Sequence, residues 1–169
     1  HPNRRFDRDA WLRGCEPGAL ADLGLDPRGR RCLDVGASTG GFTHCLLEHG
    51  AAHVTALDVG YGQLDLRLRR DERVHVVERT NARRIPAEAL PGPVDLVTVD
   101  VSFISSTLVL PSVRERCPAA EVLVMVKPQF EAGRGQVGKG GVVRDDAVRE
   151  AAVERGVACA AELGLREAG

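Results

Sequence analysis

The chain has 169 residues, of which 43% are hydrophobic and 28% charged, enough to bury one sizeable core in a single domain. Its formal net charge of −1 excludes a global basic field, so any contact with a polyanion must come from a local cluster. No apolar run reaches the roughly 18 residues of a membrane span and no signal peptide is visible, so we expect no membrane partner.

Short apolar runs alternate with helix-like stretches along the chain. Five runs have β character: Arg31–Val35, His53–Leu57, Val74–Val77, Val94–Val99 and Glu121–Val126. The helix-like stretches are Gly41–His49, Gln63–Arg70, Pro86–Leu90, Ile104–Arg116 and Asp145–Leu163. Strands that are apolar throughout and separated by helices predict an α/β fold with a parallel sheet covered on both faces. In such sheets, ligands bind beyond the carboxyl ends of the strands.

The first strand runs directly into a turn of glycines and hydroxyl residues, GASTGGF, and three chemistries use such a turn. A P-loop fails because Phe42 stands where a lysine must reach phosphate. The dinucleotide fingerprint lacks its middle glycine, which Ser38 replaces. A G-x-S-x-G nucleophile elbow follows several strands, whereas this turn follows the first predicted strand. Such an elbow also needs a later Asp and then a His, and the last histidine of this chain is His75. A nucleoside cofactor without a pyrophosphate remains.

An acidic residue at the end of the second strand supports that cofactor. Asp58 lies 24 residues after Asp34, where a carboxylate suits a bidentate hydrogen bond to ribose hydroxyls. The alternative for Asp58 is a helix cap, because Asp is favoured at that position. In register with the glycine turn, the ribose interpretation is favoured.

Five segments in order carry a family resemblance: LDVGASTGGFT, ALDVGYGQL, ERTNAR, VDVSFIS and VKPQFEAGRGQVGKGGVV. From about residue 31 to 164 the chain resembles the hemolysin-A (TlyA-type) branch of the FtsJ-like RNA 2′-O-methyltransferases. The resemblance implies a Rossmann-like class I fold with strand order 3-2-1-4-5 and S-adenosylmethionine as cofactor. It also implies 2′-O-methylation of ribosomal RNA, on cytidine in 16S or 23S rRNA, with ribosomal subunits as partners.

The resemblance assigns a set of cofactor residues. They are Asp34, Gly36, Ala37, Ser38, Thr39, Gly40, Gly41, Phe42, Asp58, Val59, Thr80 and Asn81. The turn from Gly36 to Phe42 would cradle the methionine part, and Asp58 would hold the ribose. Thr80 and Asn81, after the third strand, would border the adenine.

Lysine is rare in this chain, and one lysine follows a predicted strand. Among 23 basic residues only Lys127 and Lys139 are lysines. A lysine can act as a base, whereas an arginine cannot be deprotonated in a protein. Lys127 follows the fifth strand and Asp100 the fourth, which are neighbours in the 3-2-1-4-5 order, so we expect an ion pair. Lys127 would then activate a ribose 2′-hydroxyl without a metal; the alternative is a structural salt bridge.

The FtsJ-type site is a Lys-Asp-Lys-Glu tetrad, of which only Asp100 and Lys127 are matched here. Residues 1–30 contain no lysine and form an N-terminal segment unlike the family. Residues 31–169 are expected to form the methyltransferase domain, truncated before strands six and seven. The alternative function is therefore a non-catalytic module of the same fold that binds S-adenosylmethionine or RNA.

The segment after Lys127 is basic and rich in glycine. Between Lys127 and Arg144 the other basic residues are Arg134 and Lys139, and the single acidic residue is Glu131. The same segment has five glycines. This composition predicts a mobile cationic lid that follows the phosphate backbone of ribosomal RNA. The alternative is an ordinary surface loop.

The few aromatic residues lie mostly just after strands. Tyr61 and Phe130 suit stacking on adenine or an RNA base. Phe42 and Phe103 are expected in the core instead.

Five cysteines are scattered along the chain, at Cys15, Cys32, Cys45, Cys117 and Cys159. Their number is odd and no pair has C-x-x-C spacing. This pattern favours reduced thiols in a cytoplasmic protein over a disulfide frame or a zinc site.

Overall fold

A computed structural model describes residue 20 and residues 24–165, apart from 134 and 139. Its centre is a five-stranded parallel sheet with the order β3-β2-β1-β4-β5. The strands are β1 (Arg31–Val35), β2 (His53–Leu57), β3 (Val74–Val77), β4 (Leu96–Val99) and β5 (Glu121–Val124). The predicted fold class and strand order are confirmed, and the first three strands have the predicted bounds.

Helices connect the strands and cover the sheet. They are α1 (Gly41–Glu48), α2 (Leu66–Arg69), α3 (Leu110–Arg116), α4 (Pro128–Glu131) and α5 (Asp146–Glu162). Single 3₁₀ turns occupy Ala82–Arg84, Ala87–Ala89 and Ser106–Leu108. The prediction of one helix over Ile104–Arg116 is wrong, because the segment breaks at Val109. Pro111 explains the break: its ring clashes with the carbonyl four residues earlier and it lacks an N–H to donate.

The core has two layers, one on each face of the sheet. Under α1, buried side chains of β1, β2 and β4 pack with Phe42 and Leu46. On the opposite face, Leu33, Val97 and Val113 belong to the second cluster, which α3 covers. Each fully buried Leu or Val contributes roughly 1.5–3 kcal/mol, so the sheet is held rigidly between its helices. That rigidity fixes the positions of the loops at the strand ends.

The structure also bears on the expected state of the cysteines and on the expected absence of a membrane span. Cys32, Cys117 and Cys159 carry free thiols, as predicted. Cys45 is disulfide-bonded, so the prediction of reduced cysteines is wrong for this residue. Spacing along the sequence does not show which cysteines the fold brings together. Within the described ranges, no helix combines the length and the hydropathy needed to cross a membrane.

Candidate active site

The turn after β1 lies against the ends of two neighbouring strands. Gly36 and Ala37 donate their N–H groups to the carbonyl oxygen of Leu57, at 2.9 and 3.1 Å. Gly36 has φ +82°, and a Cβ built there would lie 2.4 Å from the carbonyl oxygen of Asp100. Only glycine fits such a close backbone approach at positive φ. The turn is therefore in direct contact with the loop after β4.

The rest of the turn leads into α1 in a conformation that exposes its polar groups. Ser38 has φ +51° and Gly40, the residue that precedes α1, has φ +102°. The hydroxyl oxygen of Thr39 is buried and has no hydrogen-bond partner among the residues that the structure describes. A buried hydroxyl without a partner costs about 1–3 kcal/mol, so this atom points to a polar ligand group at the turn.

Asp58 links the turn after β1 to the ends of β2 and β3. Its carboxylate accepts the Ser38 N–H at 2.8 Å and the Gly60 N–H at 2.7 Å, one on each oxygen. Its carbonyl oxygen accepts the Thr80 N–H at 3.0 Å. Asp58 caps no described helix, since Asp65 caps α2. Each carboxylate oxygen keeps a further acceptor position, which is what a ribose diol needs.

Two of the predicted cofactor residues lie in the interior rather than at the surface of the turn. Asp34 is fully buried and accepts hydrogen bonds from Thr43 at 2.8 Å and Thr98 at 3.0 Å. Burial raises the pKa of Asp34 to about 6, against the effect of these two hydroxyls. Phe42 is only 8% exposed and packs in the core under α1. Both side chains therefore support the turn from the interior of the protein.

The end of β3 contributes residues on the other side of Asp58. The Thr80 hydroxyl donates to the Glu78 carbonyl at 2.9 Å, and the Asn81 side chain accepts the Arg83 N–H at 3.0 Å. Val59, next to Asp58, has 74% of its surface exposed. An exposed apolar side chain beside these polar groups can cover one face of a planar ring.

The sequence did not predict a contact between Arg79 and Tyr61 at this edge of the sheet. The Arg79 guanidinium lies 4.2 Å from the centroid of the Tyr61 ring, and Arg79 has φ +51°. Tyr61 is 67% exposed. The aromatic character of Tyr61 was visible in the sequence, but its cationic partner, 18 residues later, was not.

The predicted catalytic pair is assembled at the ends of β4 and β5. Lys127 Nζ lies 2.7 Å from Asp100 Oδ1, with both side chains a little under one-third exposed. Lys127 also donates a hydrogen bond to the Ser102 hydroxyl at 2.9 Å. The Asp100 N–H donates a hydrogen bond to the carbonyl oxygen of Val35 at 2.9 Å, which connects Asp100 to the start of the glycine turn. The ion pair therefore adjoins the turn, and Ser102 is a partner that the sequence did not indicate.

Phe103 lies outside the core, contrary to the prediction. It is 91% exposed, and its φ is +67°, which is unfavourable for a bulky residue. Its ring centroid lies 5.2 Å from that of Phe130, at an interplanar angle of 51°. The path of the loop after Asp100 turns the Phe103 ring outward. Phe42, in contrast, is buried as predicted.

The predicted cationic lid is only partly described. Arg144 is exposed just before α5. Arg134 and Lys139 lie outside the described residues. The structure thus brings together the glycine turn, Asp58, Thr80, Asp100 and Lys127 along one edge of the sheet, through the contacts given above.

Comparisons with known proteins show a family and similar sequences. A family profile described as FtsJ-like methyltransferase matches residues 18–169, starting within the N-terminal segment. The chain is 53% identical over 165 residues to the 16S/23S rRNA (cytidine-2′-O)-methyltransferase TlyA of Mycobacterium tuberculosis (strain ATCC 25618 / H37Rv), covering 95% of this chain and 61% of that protein. It is 45% identical over 151 residues to hemolysin A of Brachyspira hyodysenteriae, covering 88% of this chain and 63% of that protein. This chain therefore spans about three-fifths of the length of these two relatives.

Solved structures show the same likeness. A crystal structure of a provisionally named hemolysin from Lactococcus lactis superposes with a TM-score of 0.83 at 42% identity, covering 95% of this chain and 76% of that chain. An S-adenosylmethionine-dependent methyltransferase from Mesorhizobium loti superposes with a TM-score of 0.55 at 21% identity, covering 72% of this chain and 58% of that chain. The second likeness shows the fold alone.

Proposed function

Because the chain belongs to the FtsJ-like methyltransferase family, we propose that it is the catalytic domain of an S-adenosylmethionine-dependent RNA ribose 2′-O-methyltransferase. The observation that carries the proposal is the Lys127–Asp100 ion pair beside the glycine turn. The name of the M. tuberculosis relative supports ribosomal RNA as the substrate and cytidine as the nucleotide. Ribosomal subunits in the cytoplasm would then be the partners.

The residues at the turn fit S-adenosylmethionine in chemical terms. The buried, unpartnered Thr39 hydroxyl and the positive-φ turn suit the polar methionine end. The open acceptor positions of Asp58 suit the ribose hydroxyls, and exposed Val59 can cover the adenine, which Thr80 and Asn81 would border. When bound, the cofactor would supply an electrophilic methyl group.

Lys127 can serve as the general base for the 2′-hydroxyl. In its neutral form, Nζ would accept the hydroxyl proton and so raise the nucleophilicity of the oxygen. The ammonium that forms is the species that Asp100 stabilises at 2.7 Å. The hydrogen bond to Ser102 fixes the direction of Nζ, so that the base is held in place before the substrate arrives.

The surface around this pair suits RNA. Phe103 is exposed and Phe130 is half-buried, and their rings are in contact beside the residues that follow Asp100 and Lys127. Stacking on such a platform accommodates an unpaired base. The basic residues Arg134, Lys139 and Arg144 would contact phosphates as a cationic lid.

Substitution of Lys127 tests the proposal. Lys127→Arg keeps the positive charge beside Asp100 but cannot accept a proton at neutral pH. The natural gene product is incubated with unmethylated ribosomal subunits and S-adenosylmethionine labelled in its methyl group. We expect methyl transfer to be abolished, while calorimetry shows cofactor affinity nearly unchanged. Full activity of Lys127→Arg would show that the lysine is structural. Cofactor or RNA binding without methyl transfer by the unsubstituted protein would favour the non-catalytic binding module.

A further inference from the structure

A second connection joins the two catalytic loops, one helical turn beyond the ion pair. The carboxylate of Glu131 accepts the Ser106 N–H at 2.7 Å and the Ser106 hydroxyl at 2.8 Å. It also accepts the Ser105 hydroxyl. Both serines belong to the segment that follows Asp100, and Ser106 is 2% exposed. Three donors on one half-buried carboxylate make this a strong cross-link, because hydrogen bonds to a charged group are stronger than those between neutral groups.

Glu131 is coupled to Lys127 through the backbone. Lys127 immediately precedes α4, and its carbonyl oxygen accepts the Phe130 N–H at 2.9 Å and the Glu131 N–H at 3.3 Å. A displacement of Glu131 therefore moves Lys127 with it. The loop after β4 and the turn after β5 are joined at one end by the ion pair and at the other by the Glu131 cross-link.

The same residue also connects this turn to α5. Arg155 donates a hydrogen bond to the Glu131 carbonyl oxygen at 2.8 Å. The Cys159 thiol lies 3.7 Å from the Thr107 carbonyl oxygen, so α5 contacts both loops. Glu131 therefore connects the segment that follows β4, the turn that follows β5, and α5.

We propose that Glu131 is a positioning residue that holds Lys127 in register with Asp100 for proton removal. This inference rests on the proposed function, since it assigns Glu131 a part in that reaction. Glu131 acts through Lys127 and does not contact the reacting atoms. General-base catalysis depends on the placement of the base to within a fraction of an ångström, and a misplacement of about 1 Å can cost roughly 100-fold in rate.

The test compares Glu131→Ala with Glu131→Gln in the natural gene product. Alanine removes the cross-link, so we expect kcat to fall roughly 10- to 100-fold, with cofactor Kd and RNA KM changed less than threefold. Glutamine keeps an oxygen acceptor for the Ser105 and Ser106 donors and should recover most of that loss. Glu154→Ala, at an exposed site on α5, is the matched control and should retain wild-type kcat.

A second variant covers the case in which Glu131→Ala fails to fold. Ser105→Ala combined with Ser106→Ala removes the two hydroxyl donors and leaves the glutamate in place, and it should lower kcat in the same way. A kcat within twofold of wild type in either folded variant, or a Glu131→Gln enzyme as slow as Glu131→Ala, would overturn the inference. If the unsubstituted protein transfers no methyl group, or if Lys127→Arg is active, the proposed function fails instead.

Discussion

Gly36→Ala tests the contact between the turn after β1 and the loop after β4. A Cβ at residue 36 would lie 2.4 Å from the Asp100 carbonyl oxygen and 2.9 Å from its carbonyl carbon. Alanine at the observed φ of +82° costs roughly 1–2 kcal/mol. Because the opposing atoms are backbone, relief requires a shift of the turn, which costs roughly a further 1–3 kcal/mol, as overpacking does. The free energy of unfolding should therefore fall by about 2–5 kcal/mol in total.

Gly62→Ala provides the matched control. Its φ of +70° is similar, but nothing lies within 4 Å of the added Cβ, so only the conformational cost of roughly 1–2 kcal/mol applies. Thermal unfolding followed by circular dichroism should separate the variants, since 1 kcal/mol shifts Tm by about 2–4 °C at this chain length. An equal loss of Tm in both variants would refute the close approach. The Gly36 variant should also lose methyl transfer, because the shift displaces Asp100.

Three further predictions concern single residues of the site. Burial raises the pKa of Asp34 to about 6, so between about pH 4 and 6 the folded chain keeps a proton that the unfolded chain has released, and stability falls as the pH rises through that window. Asp34→Asn should flatten this decline, which urea midpoints from pH 4 to 7 measure; an unchanged slope would contradict it. Asp58→Ala should weaken S-adenosylmethionine binding by about 1.5–3 kcal/mol in calorimetry, whereas tight NAD binding without S-adenosylmethionine binding would end the cofactor assignment. Phe103→Gly relieves the positive φ but loses the ring contact with Phe130 and gains unfolded-state entropy, so stability should change by less than about 1 kcal/mol. RNA binding should weaken by roughly 1–3 kcal/mol in a filter assay, and undiminished RNA affinity would argue against base stacking.

The sheet and the Lys127–Asp100 ion pair could be predicted because they depend on the apolar pattern and on a strand order, which the family resemblance supplied. Apolar runs placed the strands, and the carboxyl ends of parallel strands share one edge. Asp100 follows β4 directly and Lys127 comes three residues after β5, so neighbouring strands in the order 3-2-1-4-5 suffice to bring them together. No loop geometry enters that argument.

Features that depend on loop paths could not be predicted. The exposure of Phe103 follows from a positive φ that no propensity of phenylalanine indicates. The cross-link of Glu131 to Ser106 joins residues 25 apart, one in α4 and one in the 3₁₀ turn Ser106–Leu108, and their spacing along the sequence does not show that they meet. The break at Val109 is different, because Pro111 was a readable signal that the helical periodicity of the segment outweighed.

The central position of β1 also has consequences for how the chain folds. β2 follows β1 closely and can pair with it early, but the other edge of β1 must wait for β4, and the hydrogen bond from Thr98 to Asp34 spans 64 residues. Pairing over such a separation is slow, because the entropy of loop closure is lost before the contacts form. As the chain is synthesised, the half of the sheet that carries Asp58 can therefore form before the half that carries Asp100 and Lys127. Until β4 arrives, β1 presents an unpaired edge, and this edge is where we expect a nascent or truncated chain to mispair and aggregate.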